Sequence, residues 1–453
     1  MSATLGFYGG VGTVTGANFM LDTGRAAILV DCGLIQGGKF GEDANAEPFV
    51  YDPGAVDVLL VTHAHADHIG RIPKLIKEGF AGTIYSTHPT KALAAVMFRD
   101  ALSIMQYEAR RYGTPVLYSE GHIDAALARW ETVGYDEEVS LPDDITATFT
   151  DAGHILGSAM ITLERADRRL TFTGDIGNVP QPLLNPPTIP TDYHYLIMES
   201  VYGNRLHEGV EERSAWLRHY IERTATRDGT LIIPAFSLER TQAMLFEINN
   251  FVERDGLKPL PVFLDSPLAI EVTDLYRQYP EFLKDAVQQQ VARGDDIFDF
   301  PGLSITRTRD DSEAIARERG AKVIIAGSGM SHGGRIRAHE RRYLGDPDTT
   351  LLLVGYQTVG SLGRRLQDGA TRVMIDGEEV HVRASVERLQ GFSGHADRDQ
   401  LLELVASGGE QAEQVFVTMG EERASLFLTQ RLRDYLGLTA VAPGLCDEVE
   451  VDF

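Results

Sequence analysis

Four side chains of metal-binding type stand within six residues in Thr62-His63-Ala64-His65-Ala66-Asp67-His68, immediately after the apolar run Val56–Val61. An apolar run of that length reads as a buried strand. The segment therefore sits at a strand's carboxyl end, where α/β proteins assemble their sites. His63 and His65 alternate with alanines, which lets both rings face one side of an extended loop. Asp67 and His68 fall where a helix is expected to start, running to Lys77, and they face a neighbouring point. Imidazoles and carboxylates without sulfur suit Zn²⁺, with Mn²⁺ or iron as alternatives. Four ligands from one loop exceed what one ion takes from one segment, which points to two ions.

Other polar residues follow apolar runs in the same way. Asp31 ends the run Ala26–Val30, Asp175 follows Leu170–Thr173 across a glycine, and His154 lies in the loop Asp151-Ala152-Gly153-His154. Read singly, Asp31 and Asp175 are turn or capping residues and His154 a structural histidine; their shared position at strand ends makes them candidates. Up to about Asn204 the chain reads as short strands, including Tyr195–Met198, broken by polar turns. Strand–helix alternation follows, with helices at Glu211–Arg227, Leu238–Arg254 and Leu268–Tyr279, and strands at Thr230–Pro234, Val262–Leu264, Val323–Ala326 and Leu351–Val354. Such alternation predicts a mostly parallel sheet. Beyond about Arg372 short strands return, with one helix at Asp399–Ala406. No Pro/Gly/Ser linker separates the two textures, so the middle reads as an insertion into the first domain.

Composition narrows the classes. A chain of 453 residues exceeds one compact core, so two domains are expected. Cys32 and Cys446 are the only cysteines, too few for a disulfide framework or a Cys-based metal site. There is no targeting pattern and no apolar run of membrane-spanning length, which predicts a cytoplasmic protein without membrane attachment. The net charge of −24 is the reverse of a nucleic-acid binder's usual balance. Divalent ions at a carboxylate-rich site invert the local field. Of the 42 basic residues 35 are Arg, the better bidentate phosphate ligand, although a GC-rich genome produces the same skew.

A strand-end Asp, H-x-H-x-D-H, a later His and a later Asp, in this order, resemble the metallo-β-lactamase superfamily. The resemblance implies an αββα sandwich in which His63, His65 and His154 hold one zinc, and Asp67 and His68 the other. Asp175 would bridge the two ions, and Asp31 would orient a ligand His from behind. Glu199-Ser200-Val201-Tyr202-Gly203-Asn204-Arg205 resembles the first motif segment of the β-CASP branch. Gly391-Phe392-Ser393-Gly394-His395-Ala396-Asp397 resembles the second. Pro234–Arg240, Asp265–Ala269 and Gly355-Tyr356-Gln357 are similar to segments of bacterial and archaeal relatives of the polyadenylation endonuclease. This implies a metallo-β-lactamase domain of residues 1–204 and 372–453 with an inserted α/β β-CASP domain at 205–371. It also implies a metal-dependent ribonuclease that cuts single-stranded RNA through a metal-activated hydroxide, with a homodimer common among the relatives. Asp67, Asp31, Glu199 and His395 would serve catalysis, His395 protonating the leaving oxygen.

Two further segments bear on function. Gly327-Ser328-Gly329-Met330-Ser331-His332-Gly333-Gly334-Arg335 lies between an apolar strand and a helix. Its backbone N–H groups with Ser328, Ser331 and Arg335 make a candidate phosphate cradle, although it lacks the P-loop pattern. Arg240, at a helix start, and Arg364/Arg365 are further candidates. The family's V-x-H-G-E segment reads Val417-Thr418-Met419-Gly420-Glu421 here, with Met419 where a metal-binding His is expected. A thioether matches Zn²⁺ poorly, so the second ion is expected to bind weakly, with Mn²⁺ as an alternative. A one-metal enzyme and a silent RNA-binding protein are the other outcomes. A DNA-processing nuclease shares the same core, whereas a small-molecule hydrolase would not need the insertion.

Overall fold

A computed structural model of the chain describes residues 2–37, 43–207, 209, 212–355, 357, 360–389, 391–408 and 411–453. The chain divides into two compact units, residues 1–206 with 395–453, and residues 207–394.

The first unit is built on two seven-stranded sheets. One runs in the order Glu448–Asp452, Ser2–Gly9, Asn18–Asp22, Ala27–Val30, Val58–Leu60, Thr83–Thr87, Trp130–Val133. The other runs Ala440–Val441, Gln414–Val417, Tyr195–Met198, Arg168–Phe172, Ala159–Arg165, Ile145–Asp151, Glu138–Leu141. Alternate residues of both sheets point inward and form one core, with Leu5, Phe7, Phe19 and Val30 from the first and Phe149, Ile161, Phe172 and Phe416 from the second. Phe7 meets Phe416 at 5.2 Å between ring centres, and Phe19 meets Phe172 at 6.2 Å. Truncating one of these rings to Ala is expected to cost ~3–5 kcal/mol. Helices Arg398–Gly408 and Glu422–Leu436 bury Leu401, Leu404, Leu428 and Leu432 on the far face of the second sheet. The strands next to the metal-type loop are covered on both faces, which is why they read as continuous apolar runs.

Three helical features of the first unit differ from the expected pattern of short strands with helices at Asp67–Lys77 and Asp399–Ala406. His88–Tyr112 is a helix of 25 residues, started by Thr87 accepting from the Thr90 N–H and ended at Gly113, whose φ is 74°. Its buried stripe, Leu93, Ala94, Phe98 and Leu102, stops halfway, so no sustained periodicity marks it. The helix expected from Asp67 to Lys77 is two pieces, Ala66–Ile69 and Ile72–Lys77. Pro73 lacks the N–H that would continue the ladder, so the helix restarts there. Glu422–Leu436 is a second terminal helix beside the one expected at Asp399–Ala406.

The second unit carries a six-stranded sheet in the order Leu303–Ile305, Val262–Asp265, Lys322–Ala326, Thr230–Pro234, Thr349–Leu353, Ser385–Arg388. All its pairings are parallel. The expected return to the first domain at 372 is corrected to His395. Ser385–Arg388 pairs with Thr349–Leu353 and completes the sheet, and it is only half-buried, so no apolar run announces it. Among the described residues no helix is long and apolar enough to cross a membrane.

Candidate metal centre

Parallel strands Ala27–Val30 and Val58–Leu60 deliver Asp31 and the His63 loop to the same edge of the first sheet. Asp31, with φ 59°, turns its carboxylate back across that edge. Its Oδ1 accepts the Thr62 N–H at 2.8 Å, and its Oδ2 accepts the Thr62 hydroxyl at 2.8 Å and faces His68 Nδ1 at 2.7 Å. The Nδ1 proton of His68 is thereby held by Asp31, and Nε2 is left to face Asp175 Oδ1 at 3.3 Å. His68 Nε2 and Asp175 Oδ1 are both buried and lack a hydrogen-bond partner. Orphaned buried atoms of this kind call for an ion or water between them.

The other Asp175 oxygen faces a second group. Oδ2 lies 3.4 Å from His63 Nε2 and 3.6 Å from His154 Nε2. His65 Nδ1 lies 3.1 Å from His63 Nε2 and 3.2 Å from His154 Nε2. A tetrahedral ion with bonds of about 2.0–2.1 Å separates its ligands by about 3.3–3.4 Å. The His63, His65, His154 and Asp175 donors therefore already stand at coordination spacing. Three imidazoles and one carboxylate suit zinc, and also manganese or iron. Asp67 and His68 lie outside this group, so a position they would share with Asp175 is the less complete one; Asp175, Glu199 and His395 form a further group within reach of one ion.

Charge is balanced locally. Burial lowers the pKa of His63, and that of His65 well below the ordinary value, keeping both neutral as ligands require. Burial would lower His68 too, but the Asp175 and Asp31 carboxylates outweigh it and hold the imidazole well above its usual range. Burial raises Asp67, against the pull of His68. Asp175 is held well below the carboxylate range, because His68, His395 and His63 outweigh its burial.

Glu199 ends the strand Tyr195–Met198. Its Oε1 accepts the Ile176 N–H at 2.7 Å and faces His395 Nδ1 at 3.3 Å, while its Oε2 accepts the Val201 N–H at 3.2 Å. His395 is brought in by backbone pairing with Gly177 and by the Ala396 N–H donating to Ile176 O at 2.8 Å. Its Nδ1 lies 3.8 Å from Asp175 Oδ2, and its ring lies 4.6 Å from that of His154. Glu199 is fully buried and His395 partly open to solvent. Burial raises Glu199, with His395 opposing.

Sequence reasoning missed the residues that hold these ligands. The Thr62 hydroxyl contacts Asp31 and, at 3.1 Å, His63 Nδ1. Ser158 Oγ accepts the His154 and Ile155 N–H groups and fixes the His154 loop. Hydroxyls at such positions carry no distinctive spacing, although a threonine directly before H-x-H is a usable signal.

In the second unit Ser328, Ser331, Arg335 and Arg240 gather at the carboxyl ends of neighbouring strands, and two of them are engaged in internal bonds. Ser331 is fully buried and donates to Glu340; Arg335 donates to Asp265 at 2.8 Å and to the carbonyls of Thr306 and Arg307. Ser328 Oγ accepts the His332 and Gly333 N–H groups within the loop. Arg240 lies over the Phe236 ring at 4.8 Å and donates to Phe392 O. Arg364 pairs with Asp368. Tyr356 lies outside the described residues.

Met419 is buried in the sandwich core beside Phe19 and Phe416, with its N–H donating to Gly10 O at 2.6 Å. It also lines a cavity of about 10 Å³ shared with Asp31, His68 and Glu199. Met419 thus borders the Asp31–His68 side of the site.

Fold and site together define a metallo-hydrolase. Family models match over most of the chain: the metallo-beta-lactamase superfamily at residues 12–208, the Beta-Casp domain at 241–366, and the Zn-dependent metallo-hydrolase RNA specificity domain at 379–443. Ribonuclease TTHA0252 of Thermus thermophilus is 36% identical over 425 residues, covering 94% of this chain and 95% of its own. The RNase J-like protein of Methanocaldococcus jannaschii is 31% identical, covering 97% of each chain. Transcription termination factor FttA of Methanosarcina mazei is 31% identical, covering 93% of this chain and 67% of its own. A crystal structure of a protein of unknown function from Enterococcus faecalis V583 shares the fold at a TM-score of 0.58 and 13% identity, covering 100% of both chains. This chain belongs to the β-CASP family of the metallo-β-lactamase superfamily.

Proposed function

We propose that this chain is a zinc-dependent ribonuclease that hydrolyses phosphodiester bonds of single-stranded RNA. The carrying observation is Asp175, whose one oxygen faces His63, His154 and His395 while the other faces His68. The names of the relatives and the RNA specificity model support RNA as the substrate. His63, His65, His154 and Asp175 would hold one cation, and Asp67, His68 and Asp175 a second. Bound there, such ions polarise a phosphate and lower the pKa of water.

The chain's own groups perform the rest. Asp31 fixes the ring of His68, and Asp67 borders the same point and orients the water. As water adds to phosphorus and the ester P–O bond breaks, the leaving oxygen needs a proton. His395 carries one, its imidazolium stabilised by the Glu199 carboxylate at 3.3 Å. Ser328 and Arg240 remain candidates for binding RNA in the second unit.

Labelled single-stranded RNA and matched DNA test the reading. Chelator-sensitive cleavage of RNA in preference to DNA is expected, restored by Zn²⁺ or Mn²⁺. Equal cleavage of DNA points to the DNA-processing relative, and no cleavage by fully metallated protein overturns the proposal. One observation favours a second reading. Met419 brings sulfur and core packing to the less complete metal position, so the outcome of weak or absent catalysis with retained RNA binding follows if that ion fails to bind.

A further inference from the structure

Immediately after Glu199 the chain makes two successive turns, closed by the Gly203 N–H on Ser200 O and the Arg205 N–H on Tyr202 O, both at 3.0 Å. The turns are seated firmly. A Cβ at Gly203 would lie 3.1 Å from the Ala424 carbonyl and from Leu428 Cβ, on the helix Glu422–Leu436. The Arg398 N–H donates to Arg205 O at 3.1 Å and ties the far end of the turns to the segment that begins with His395. The Tyr202 ring consequently lies 6.1 Å from the His395 ring, tilted by 45°. The Arg205 guanidinium sits 5.4 Å from the Tyr202 ring centre. Tyr202 is half-buried and Arg205 exposed.

This pairing of groups has a chemistry of its own. A tyrosine ring stacks any base, because every base has a π-face, and a guanidinium matches the phosphate fork. Its place gives it a direction. The residue that protonates the leaving oxygen marks the side on which the leaving nucleotide lies, and the Tyr202 ring stands beside that residue. We propose that Tyr202 and Arg205 form the subsite of the leaving nucleotide, Tyr202 carrying its base by stacking and Arg205 engaging the next phosphate. The inference rests on the ribonuclease reading above. It assigns Tyr202 to substrate rather than to support of His395. In a chain of net charge −24, an arginine held over an aromatic ring beside the reaction also gives RNA a local foothold.

The test compares enzyme and substrate changes together. Once the cleaved linkage of an oligoribonucleotide is mapped, a substrate abasic at the leaving nucleotide is prepared. Wild type is expected to lose roughly 5- to 100-fold in kcat/KM on that substrate. Tyr202→Ala should lose a similar factor on the intact substrate and nothing further on the abasic one, while Tyr202→Phe keeps most activity. Arg205→Gln should raise KM and flatten the salt dependence by about one ion. Equal loss by Tyr202→Ala on both substrates, with a displaced pH profile, assigns Tyr202 to positioning His395 and overturns the subsite. Oligonucleotide binding, read by anisotropy, separates the two claims. Tyr202-dependent discrimination against the abasic strand without cleavage sinks the ribonuclease reading and keeps the subsite; cleavage without discrimination does the opposite.

Discussion

Glu340 offers a sharp test of how the Gly327–Arg335 loop is braced. It lies on the helix Ile336–Tyr343, is fully buried, and accepts the Ser331 hydroxyl with Oε1. Its Oε2 has no hydrogen-bond partner. Burial pushes the carboxyl from its ordinary 4.5 up to about 7, with Ser331 and Arg337 opposing. Below the lower value both folded and unfolded chains are protonated, and the group is neutral toward stability. As pH rises the unfolded chain ionises first, so the native state is progressively disfavoured until the pH passes the folded value. The withdrawal between about pH 5 and about pH 8 is roughly 2.5 kcal/mol. Glu340→Gln removes this dependence, so its advantage over wild type should grow by about that amount across the interval. Urea unfolding followed by Trp216 reads the second unit if both proteins carry Trp130→Phe, because the chain has 2 tryptophans and Trp130 lies in the first unit. Parallel stability–pH curves for the two proteins would show that Glu340 ionises normally in the folded state and does not brace the loop as a buried, protonated carboxyl.

Three further outcomes follow from the geometry. His395→Ala and Glu199→Gln should each lower single-turnover cleavage by about 10²–10⁴-fold with metal content unchanged; loss of metal instead would assign them to holding an ion with Asp175 and reject the proton-donor role. Met419→His should raise the number of cations bound per chain by elemental analysis, and it suits the backbone there, because φ is 44° and His tolerates that region better than most residues. No gain in metal rejects a ligand role for the position. Asp265, fully buried and bonded by His339, Ser312, Thr306 and Arg335, has its carboxyl held down at about 2 despite burial. Its ~2 kcal/mol of stability is present above the unfolded value of 3.8 and lost as pH falls toward 2, so Asp265→Asn should flatten the acid limb of the unfolding curve.

The site was legible where its parts are local. His63, His65, Asp67 and His68 share one loop after one apolar strand, and that pattern survives without knowledge of the fold. Asp31, His154 and Asp175 became readable through their shared place at strand ends and their order along the chain, and the structure brings His154 and Asp175 within coordination distance of His63 and His65. Partners distant in sequence were not legible. Arg335 and Asp265 meet across 70 residues, and nothing at Ser331 announces Glu340. The same limit governs the fold. The fully buried strand Tyr195–Met198 matches its apolar run, whereas half-buried Ser385–Arg388 has none, and the domain boundary moved with it.

Met419 belongs to two environments at once, which bears on how a methionine could stand where the family pattern places a ligand histidine. One side joins the aromatic core between the sheets, and the other closes a cavity with His68 and Asp31. A methionine there adds apolar burial to the sandwich, worth about 1.5–3 kcal/mol for such a side chain. It would forgo the nitrogen donor that a histidine there could offer an ion. His68 Nε2 and Asp175 Oδ1 stay in place because Asp31, Thr62 and the opposing imidazoles hold them, so a second cation proposed there would keep its charged neighbours while having one donor fewer. On the proposed reading a chain built this way would gain fold stability at that position and relax its grip on one cation, while His63, His65 and His154, none of which lines the Met419 cavity, would keep their hold on the other.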